Sequence, residues 1–181
     1  MNVKWLDFVK KNESRDMRIG AEVGVYTGQD ALRICQGLPI KHLYLIDPYQ
    51  KYEGYLDYPP EGSLKISPRN AKEEAEKLLK PFKDKTIWIF KKFEECSKKD
   101  IPESLDFIYI DGNHAYEYVK EDIRLATIFV KEGGIIGGHD YHIKELKRAV
   151  DEHVKQYNLE VFTGIVEGQY CIDWYFVKEK K

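Results

Sequence analysis

The stretch Leu105-Asp-Phe-Ile-Tyr-Ile-Asp-Gly-Asn-His-Ala-Tyr-Glu117 decides the fold together with a second one, Lys131-Glu-Gly-Gly-Ile-Ile-Gly-Gly-His-Asp-Tyr141. Each is an apolar run that ends in polar groups, and a segment with helical periodicity joins them. In a parallel α/β sheet, neighbouring strands bring their last residues to one edge, where ligands bind. We therefore expect the aspartates and histidines that follow the two runs to meet in space.

The rest of the chain alternates strand-like and helix-like segments in the same manner. Strands are predicted at residues 18–25, 42–46, 86–90, 105–110, 134–137 and 159–163, and helices at 28–35, 68–79, 115–130 and 143–157, with a short helix suggested at 93–99. This alternation is typical of a parallel sheet with helices on both faces. A last run, Tyr170 to Val177, follows after a connection too short for a helical crossover. We expect it to pair antiparallel with the preceding strand, as a hairpin.

The bulk composition suits a single domain spanning residues 1–181. Charged residues make up 33% of the chain, but 29 Lys and Arg nearly balance 31 Asp and Glu, and the net charge is −2. A nucleic-acid partner is therefore not expected, because phosphate binding needs a basic surface, although a local patch stays open. The three cysteines, Cys35, Cys96 and Cys171, form no CxxC pair, which is typical of reduced thiols in a cytoplasmic protein.

The N-terminal residues 1–15 are expected to form a short amphipathic helix that docks onto the domain through Trp5, Phe8 and Val9. A helix lying on a membrane surface is the alternative. Charges interrupt the apolar residues here, so a signal-peptide core is missing, and no apolar run in the sequence approaches the length of a membrane span. A membrane partner is therefore not expected. The oligomeric state is left open, with a homo-oligomer included.

Residues 49–67 have no clean helical or strand period and are rich in tyrosine and proline. Long loops inside compact domains are often lids or binding loops, and tyrosines offer both stacking faces and hydroxyls. The segment is therefore predicted to be a lid-like loop, and a surface loop whose rings cover the core is an equal alternative.

The first predicted strand ends in Ala21-Glu-Val-Gly-Val-Tyr-Thr-Gly28, and a helical pattern follows. Gly24 and Gly28 allow the backbone to turn tightly and approach a ligand, and the helix N-terminus adds the positive end of a dipole. The spacing lacks the middle glycine of the GxGxxG pattern of dinucleotide binders. Glu22 suits a cationic ligand with an amino-acid part better than a diphosphate. An ordinary strand-to-helix turn is the alternative.

Asp47 ends the second predicted strand at the same edge of the sheet. A carboxylate there can accept both hydroxyls of an adenosine ribose, as it does in nucleotide-binding α/β folds. The alternative is that Asp47 only caps the following turn, which Pro48 favours. The neighbouring glycine turn favours the ribose function.

Asp111-Gly-Asn-His114 closes the fourth predicted strand, and His139-Asp140 closes the fifth. Carboxylates on adjacent strand ends suit a hard divalent cation such as Mg²⁺, whereas the imidazole of His139 also admits manganese, iron or zinc. His114 lies three residues after Asp111, close enough to act as a general base toward an acceptor hydroxyl. Helix capping by Asn113 and by Asp140 is the alternative. Capping does not explain why acid and histidine pairs end two consecutive strands.

Taken in this order, the motifs Glu22–Gly28, Asp47, Asp111–Tyr116 and Gly133–Tyr141 resemble those of class I S-adenosylmethionine (SAM)-dependent methyltransferases. The similarity is greater to methyltransferase domain family 24, which includes metal-assisted sugar and antibiotic O-methyltransferases. The resemblance covers nearly the whole chain. It implies an α/β fold, a Rossmann-like, doubly wound three-layer sandwich whose seven-stranded, mostly parallel sheet has an antiparallel last strand.

The resemblance also implies a role for each candidate residue. The expected SAM-binding residues are Glu22, Gly24 and Gly28 around the methionine part, Asp47 at the ribose, Phe93 or Glu94 at the adenine, and in addition Tyr26 and Asp111. The expected metal ligands are Asp111, Asp140 and, as a third, His139. Asp111 and His114 would be catalytic, with His114 as the general base. Metal-dependent relatives commonly carry an acid where His139 stands, so this chain departs from their pattern.

The expected function is SAM-dependent O-methylation of a small hydroxylated acceptor, such as a sugar or a phenol, with a divalent metal, Mg²⁺ foremost. A nicotinamide (NAD(P))-dependent oxidoreductase on a similar sheet is one alternative, against which Glu22 and the missing middle glycine count. A noncatalytic SAM-binding or interaction module is another, because a fold can be retained without its activity.

Overall fold

The computed structural model describes residues 5–11, 18–52, 54, 66–165 and 172–179. The strands are β1 (Arg18–Val23), β2 (Ile40–Ile46), β3 (Thr86–Ile89), β4 (Leu105–Ile110), β5 (Val130–Gly138), β6 (Phe162–Ile165) and β7 (Ile172–Val177). The α-helices are α1 (Trp5–Lys11), α2 (Gln29–Gly37), α3 (Pro68–Leu79), α4 (Tyr116–Phe129) and α5 (Lys144–Gln156). Short 3₁₀ turns cover Lys80–Phe82 and Phe93–Glu95.

All seven strands form one sheet in the order β3-β2-β1-β4-β5-β7-β6. Strands β1 to β5 pair in parallel, whereas β7 runs antiparallel to both β5 and β6. The predicted Rossmann-like fold with an antiparallel last strand is therefore confirmed, as is the hairpin of the last two strands. The chain order reverses direction beside β1 and β4, which is where open α/β sheets place their ligands.

Two apolar layers flank the sheet because successive strand residues point to opposite faces. In β4, Phe107 packs on the side of α1, α2 and α3, whereas Ile108 packs on the side of α4 and α5. Helix α1 joins the first layer through Trp5, which is 2% exposed. Its ring centroid lies 5.3 Å from that of Phe107 and 4.8 Å from that of Tyr109. No described helix is long and apolar enough to span a membrane.

Several element boundaries differ from the predicted ones. Strand β5 begins at Val130, directly after α4, and not at Gly134. The predicted 93–99 helix is a single 3₁₀ turn, and β6 covers 162–165 instead of 159–163. Local propensity missed these because sheet pairing, here Leu105 opposite Val130, extends a strand through residues of weak preference. In the tyrosine-rich segment 49–67, residues 53 and 55–65 lie outside the described residues, as do 1–4, 12–15 and Cys171.

Candidate active site

The carboxyl ends of β1, β2, β4 and β5 lie side by side, and backbone hydrogen bonds continue past the last strand residues. The Gly24 amide donates to Ile46 O at 2.9 Å and the Asp111 amide donates to Val23 O at 2.7 Å. The His139 amide donates to the carbonyl that ends β4 at 3.1 Å. These bonds fix where the strand-end side chains begin.

The aspartates and histidines that follow β4 and β5 meet, as the sequence led us to expect. Asp111, His139 and Asp140 each offer a ligand atom, and these atoms lie within 4.8 Å of one another. His139 Nδ1 is 3.3 Å from Asp140 Oδ1 and 3.9 Å from Asp111 Oδ1. His114 Nε2 is 3.2 Å from Asp140 Oδ2 and 3.6 Å from Asp111 Oδ1. We call these four residues the reaction cluster.

The capping alternatives for Asp140 and Asn113 are wrong. Helix α5 has Ile143 as its N-cap and no side-chain cap, and the Ile143 amide donates to the Asp140 backbone carbonyl. Helix α4 has Ala115 as its N-cap, whereas Asn113 accepts from the Ala115 amide at 2.9 Å and donates to Gly54 O at 3.0 Å. Asp140 adopts a positive φ of 59°, unusual for a residue with a Cβ. Its carboxylate lies among the histidines of the cluster.

The donor set of the reaction cluster fits a divalent cation. Burial disfavours the charged form of His139, but its hydrogen bond to Asp140 and the charge of Asp111 outweigh burial and raise its pKa to about 9. The carboxylates of Asp111 and Asp140 therefore favour a positive charge between them. The protonated ring of His139 supplies this charge, and a bound cation can supply it instead. The Nε2 atom of His139 is buried and has no hydrogen-bond partner in the described part of the chain.

Gly24 is a glycine because the turn after β1 presses against the end of β4. Its φ is +83°, and a Cβ at this position would lie 2.1 Å from the carbonyl oxygen of Asp111. Gly28, at the start of α2, has φ +80° and serves as the helix N-cap. Both conformations are open to glycine at little cost. The close approach of the two backbones is what the glycine turn achieves.

Glu22 is an acid inside the sheet, 1% exposed. Burial is the largest cause that raises its pKa well above the usual range, followed by the charges of Asp30, Asp111 and Asp47. Its Oε2 is buried and has no hydrogen-bond partner within the described ranges. A buried acceptor of this kind is satisfied when a ligand brings a donor, and a cationic donor would gain most from the surrounding acids.

Asp47 bonds to two different turns. Its Oδ2 accepts from the amides of Val25 and Tyr26, each at 3.0 Å, and its Oδ1 accepts from the amide of Tyr49 at 2.7 Å. The alternative that Asp47 caps the following turn is therefore confirmed. Oδ2 thus accepts two hydrogen bonds and Oδ1 accepts one, so the capping leaves acceptor capacity on Oδ1. Tyr26 and Tyr49 both have positive φ, of 48° and 45°, and the Tyr49 hydroxyl donates to Tyr26 O at 2.9 Å.

A cleft opens beside these turns, between the ends of β1, β2 and β4, the 3₁₀ turn at Phe93 and one side of α4. We call it the cofactor cleft. Its lining includes Gly24, Asp47, Phe93, Gly112, Tyr118 and Asp122. Phe93 is 3% exposed and its ring packs against Phe129, with centroids 5.7 Å apart. Phe93 therefore shapes the wall of the cleft from the core side.

A sequence model of the methyltransferase domain family named above matches residues 21–141, which hold every residue of the reaction cluster and the cofactor cleft. The chain belongs to this family. It is a class I SAM-dependent methyltransferase. A comparison with curated protein sequences gave no significant match.

Solved structures with the same fold are themselves methyltransferases. A putative rRNA methylase from Clostridium thermocellum aligns with a TM-score of 0.69 at 16% identity, covering 100% of this chain and 99% of the other. A putative methyltransferase from Streptococcus mutans, in complex with SAH, gives 0.64 at 14% identity, with 96% and 94% covered. An O-methyltransferase from Bacillus cereus, also in complex with SAH, gives 0.62 at 13% identity, with 91% and 76% covered. At these identities the likeness establishes the fold.

Two acids of this methyltransferase were missed in the sequence. Asp173, 5% exposed at the start of β7, accepts from the Tyr109 hydroxyl at 2.8 Å. Burial raises its pKa to about 6 against the opposing effects of Tyr109 and His139. Asp122 is 9% exposed in α4. The sequence does indicate that Asp122 is buried, because this charged residue lies on the apolar stripe of the helix with Val119, Ile123 and Ala126.

Proposed function

We propose that this methyltransferase transfers the methyl group of SAM to a hydroxyl of a small acceptor, with the reaction cluster activating that hydroxyl. The observation that carries the proposal is the convergence of Asp111, His139 and Asp140 within 4.8 Å, with His114 beside them. The cluster lies next to the glycine turn in space, because the backbones of Gly24 and Asp111 are in contact. An acceptor at the cluster would therefore lie next to the methyl donor.

Asp111, His139 and Asp140 would hold a divalent cation. Bound there, it would orient the acceptor hydroxyl and lower its pKa. Carboxylate oxygens favour Mg²⁺, whereas the imidazole of His139 makes the set suitable for manganese, iron or zinc as well. His139 carries a proton at neutral pH when the two carboxylates have no other cation near them, so loading the site displaces that proton.

His114 would be the general base. Its Nε2 faces both carboxylates of the cluster, at 3.2 Å from Asp140 Oδ2 and 3.6 Å from Asp111 Oδ1. The negative charges stabilise a proton that Nε2 takes from the acceptor hydroxyl. Because α4 begins two residues later, the position of His114 is set by a rigid element. The base and the methyl acceptor are thus held together before the reaction, which is where much of the acceleration of a methyl transfer arises.

The methyl donor would lie across the ends of β1 and β2. Glu22 would accept from the ammonium group of its methionine part, in the turn that Gly24, Tyr26 and Gly28 form. Asp47 would accept from the ribose hydroxyls through the acceptor capacity left on Oδ1. The adenine would extend toward Phe93 and Glu94 in the cofactor cleft. Bound SAM supplies a sulfonium-activated methyl group.

The test is product detection with sugars, phenols and total RNA as acceptors, using methyl-labelled SAM. We expect a small hydroxylated acceptor to be methylated. His114→Gln and Asp140→Asn should each lower turnover by about a hundredfold or more, the usual contribution of a general base, while SAH affinity stays within about threefold. His42→Gln, near the amino end of β2 and beside Glu103, is the matched control and should retain turnover.

Three results would contradict this function. Full turnover in both the His114 and Asp140 variants would exclude the reaction cluster. Methylation of RNA, without methylation of any small molecule, would show that the acceptor is RNA and not a small hydroxylated compound. Binding of SAH without transfer to any acceptor would favour a noncatalytic SAM-binding module.

A further inference from the structure

Asp173 is a buried acid that lies beside the reaction cluster and that the proposed methyl transfer leaves without a task. It is 5% exposed. In the antiparallel pair of β5 and β7, Gly138 lies opposite Trp174, and the same register continued by one residue places Asp173 opposite His139. The Trp174 indole donates to His139 O at 3.0 Å, which ties the two strand ends together. Side chains opposite each other in a sheet point to the same face, so Asp173 flanks His139 on the side away from β4.

The two ring nitrogens of His139 have different surroundings. Nδ1 faces the carboxylates of the reaction cluster, at 3.3 Å from Asp140 Oδ1 and 3.9 Å from Asp111 Oδ1. Nε2 is buried, and none of the described residues forms a hydrogen bond with it. A buried ring N–H without an acceptor costs free energy. The ring therefore turns one nitrogen toward the candidate ligands and leaves the other in need of an acceptor.

Asp173 has an acceptor atom to spare. The Tyr109 hydroxyl donates to its Oδ1 at 2.8 Å, and no other donor in the described part of the chain bonds to this carboxylate. Oδ2 is therefore open to a further donor, while Tyr109, itself 2% exposed, fixes the position of the group. Burial raises the pKa of Asp173, whereas the hydrogen bond of Tyr109 and then the positive charge of His139 lower it. Asp173 is thus near enough to His139 for the two charges to interact.

Asp30, in the first turn of α2, is a second acid near this ring. Burial and then the charge of Asp111 raise its pKa, and the charges of Arg33 and His139 lower it. Its Oδ1 already accepts a hydrogen bond from the Arg33 guanidinium. Asp173 is therefore the better placed of the two acids to serve as an acceptor for Nε2.

We propose that Asp173 accepts a hydrogen bond from the Nε2–H group of His139 and thereby keeps Nδ1 of the same ring free to bind the metal. The inference rests on the proposed function in one respect, the binding of a divalent cation at the reaction cluster. A neutral imidazole carries its hydrogen on one nitrogen and binds a metal through the other. Nε2 has no partner in this structure, so we expect the bond to form when Nδ1 takes up the cation. Asp173 is a positioning residue, because it acts through His139.

Calorimetric titration of Mn²⁺ into the SAH-saturated protein tests the role of Asp173. Asp173→Leu removes the acceptor and should weaken Mn²⁺ binding about ten- to hundredfold, the usual effect of losing the partner of a histidine ligand. Asp173→Asn keeps an uncharged acceptor oxygen and should bind Mn²⁺ with an affinity between those of the wild type and the Leu variant. SAH affinity should stay within about threefold in both variants, because the methyl donor would lie at other strand ends. Glu160→Gln, which removes an exposed acid before β6, should bind Mn²⁺ as the wild type does.

A second substitution shows whether the effect passes through His139. In His139→Glu the ligand is a carboxylate, as in metal-dependent relatives, and has no N–H group that needs an acceptor. Adding Asp173→Leu to His139→Glu should therefore leave Mn²⁺ affinity within about threefold or raise it, since a like charge is removed. An equal loss of affinity from Asp173→Leu in both backgrounds would overturn the proposal, because Asp173 would then act independently of the imidazole.

Nitrogen-15 NMR of the histidine-labelled wild-type protein gives a direct measurement that needs no variant of Asp173. With SAH and Mg²⁺ bound, His139 should carry its hydrogen on Nε2 and none on Nδ1. The spectrum of His139→Glu identifies its signals among those of the five histidines. A loaded protein whose His139 carries the hydrogen on Nδ1 would overturn the proposal, because Nε2 would then be the nitrogen that binds the metal.

The outcomes distinguish this inference from the proposed function. A wild-type protein and a folded Asp173→Leu variant that bind Mn²⁺ equally would overturn the role of Asp173 and leave the metal site intact. A wild-type protein that binds SAH but takes up no Mn²⁺ would overturn the part of the metal in the proposed function, and the inference on Asp173 with it.

Discussion

Glu22, for which we propose contact with the ammonium group of the methyl donor, is a residue whose burial lowers the stability of the folded chain. It is buried in β1 among Asp30, Asp47 and Asp111, and burial followed by these charges holds its pKa well above the usual range. A raised pKa for an acid means that folding favours the protonated form. The unfolded chain releases this proton above pH 4.5, so Glu22 lowers stability progressively as the pH rises past that value.

Replacing Glu22 with Gln separates the two effects. The variant lacks the titrating group, so its free energy of unfolding should exceed that of the wild type at pH 7 by at least about 1 kcal/mol, and the gap should close as the pH falls toward 4.5. SAH affinity should fall about tenfold, because the ammonium group loses a charged partner. Denaturant unfolding at several pH values and SAH titration measure both. A variant that binds SAH as tightly as the wild type would exclude Glu22 from the methyl-donor site.

At the scale of the elements, the ends of β1 and β4 touch through Gly24. Gly24→Ala would place a Cβ 2.1 Å from the Asp111 carbonyl oxygen at φ +83°, so the turn must move and the free energy of unfolding should drop by about 2–4 kcal/mol. Gly112→Ala is the matched control. Its Cβ would meet Val23 at 3.6 Å and Asp122 at 3.8 Å, which are ordinary contacts, so stability should change by less than about 1 kcal/mol. Equal losses in denaturant unfolding would show that close approach is not the reason for Gly24.

The elements also show which parts of the structure local sequence could predict. Helix α3 begins and ends as predicted, because Ser67 caps it, accepting from the Asn70 amide, and Pro68 occupies its first turn. The start of β5 was missed, because Val130 was assigned to the end of the preceding helix, and its pairing with Leu105 of β4 exists only in the folded sheet. Pairing partners lie far along the chain, so a window of neighbouring residues does not contain them.

At the scale of the whole molecule, the meeting of the strand ends could be predicted from the sequence, whereas the burial and the hydrogen-bond partners of individual site residues could not. The alternation of strands and helices predicts that Asp111 and Asp140 lie at one edge, because neighbouring parallel strands bring their last residues to the same edge of the sheet. The hydrogen bonds of Asp47 to two turns and the burial of Asp122 and Asp173 could not be predicted, because they depend on tertiary packing. Each depends on which side chain lies opposite, and periodicity gives the face of an element but not its neighbour.

The measurement that tests metal-assisted methyl transfer most directly is a titration of Mn²⁺ into the SAH-saturated protein, followed by calorimetry and by the loss of the free-ion resonance signal. Asp111, His139 and Asp140 lie within 4.8 Å, so we predict one bound ion per chain, and its loss in the Asp140→Asn variant with SAH still bound. A wild-type protein that binds SAH but takes up no Mn²⁺, or an Asp140→Asn variant that binds it as tightly as the wild type, would contradict this role for the cluster.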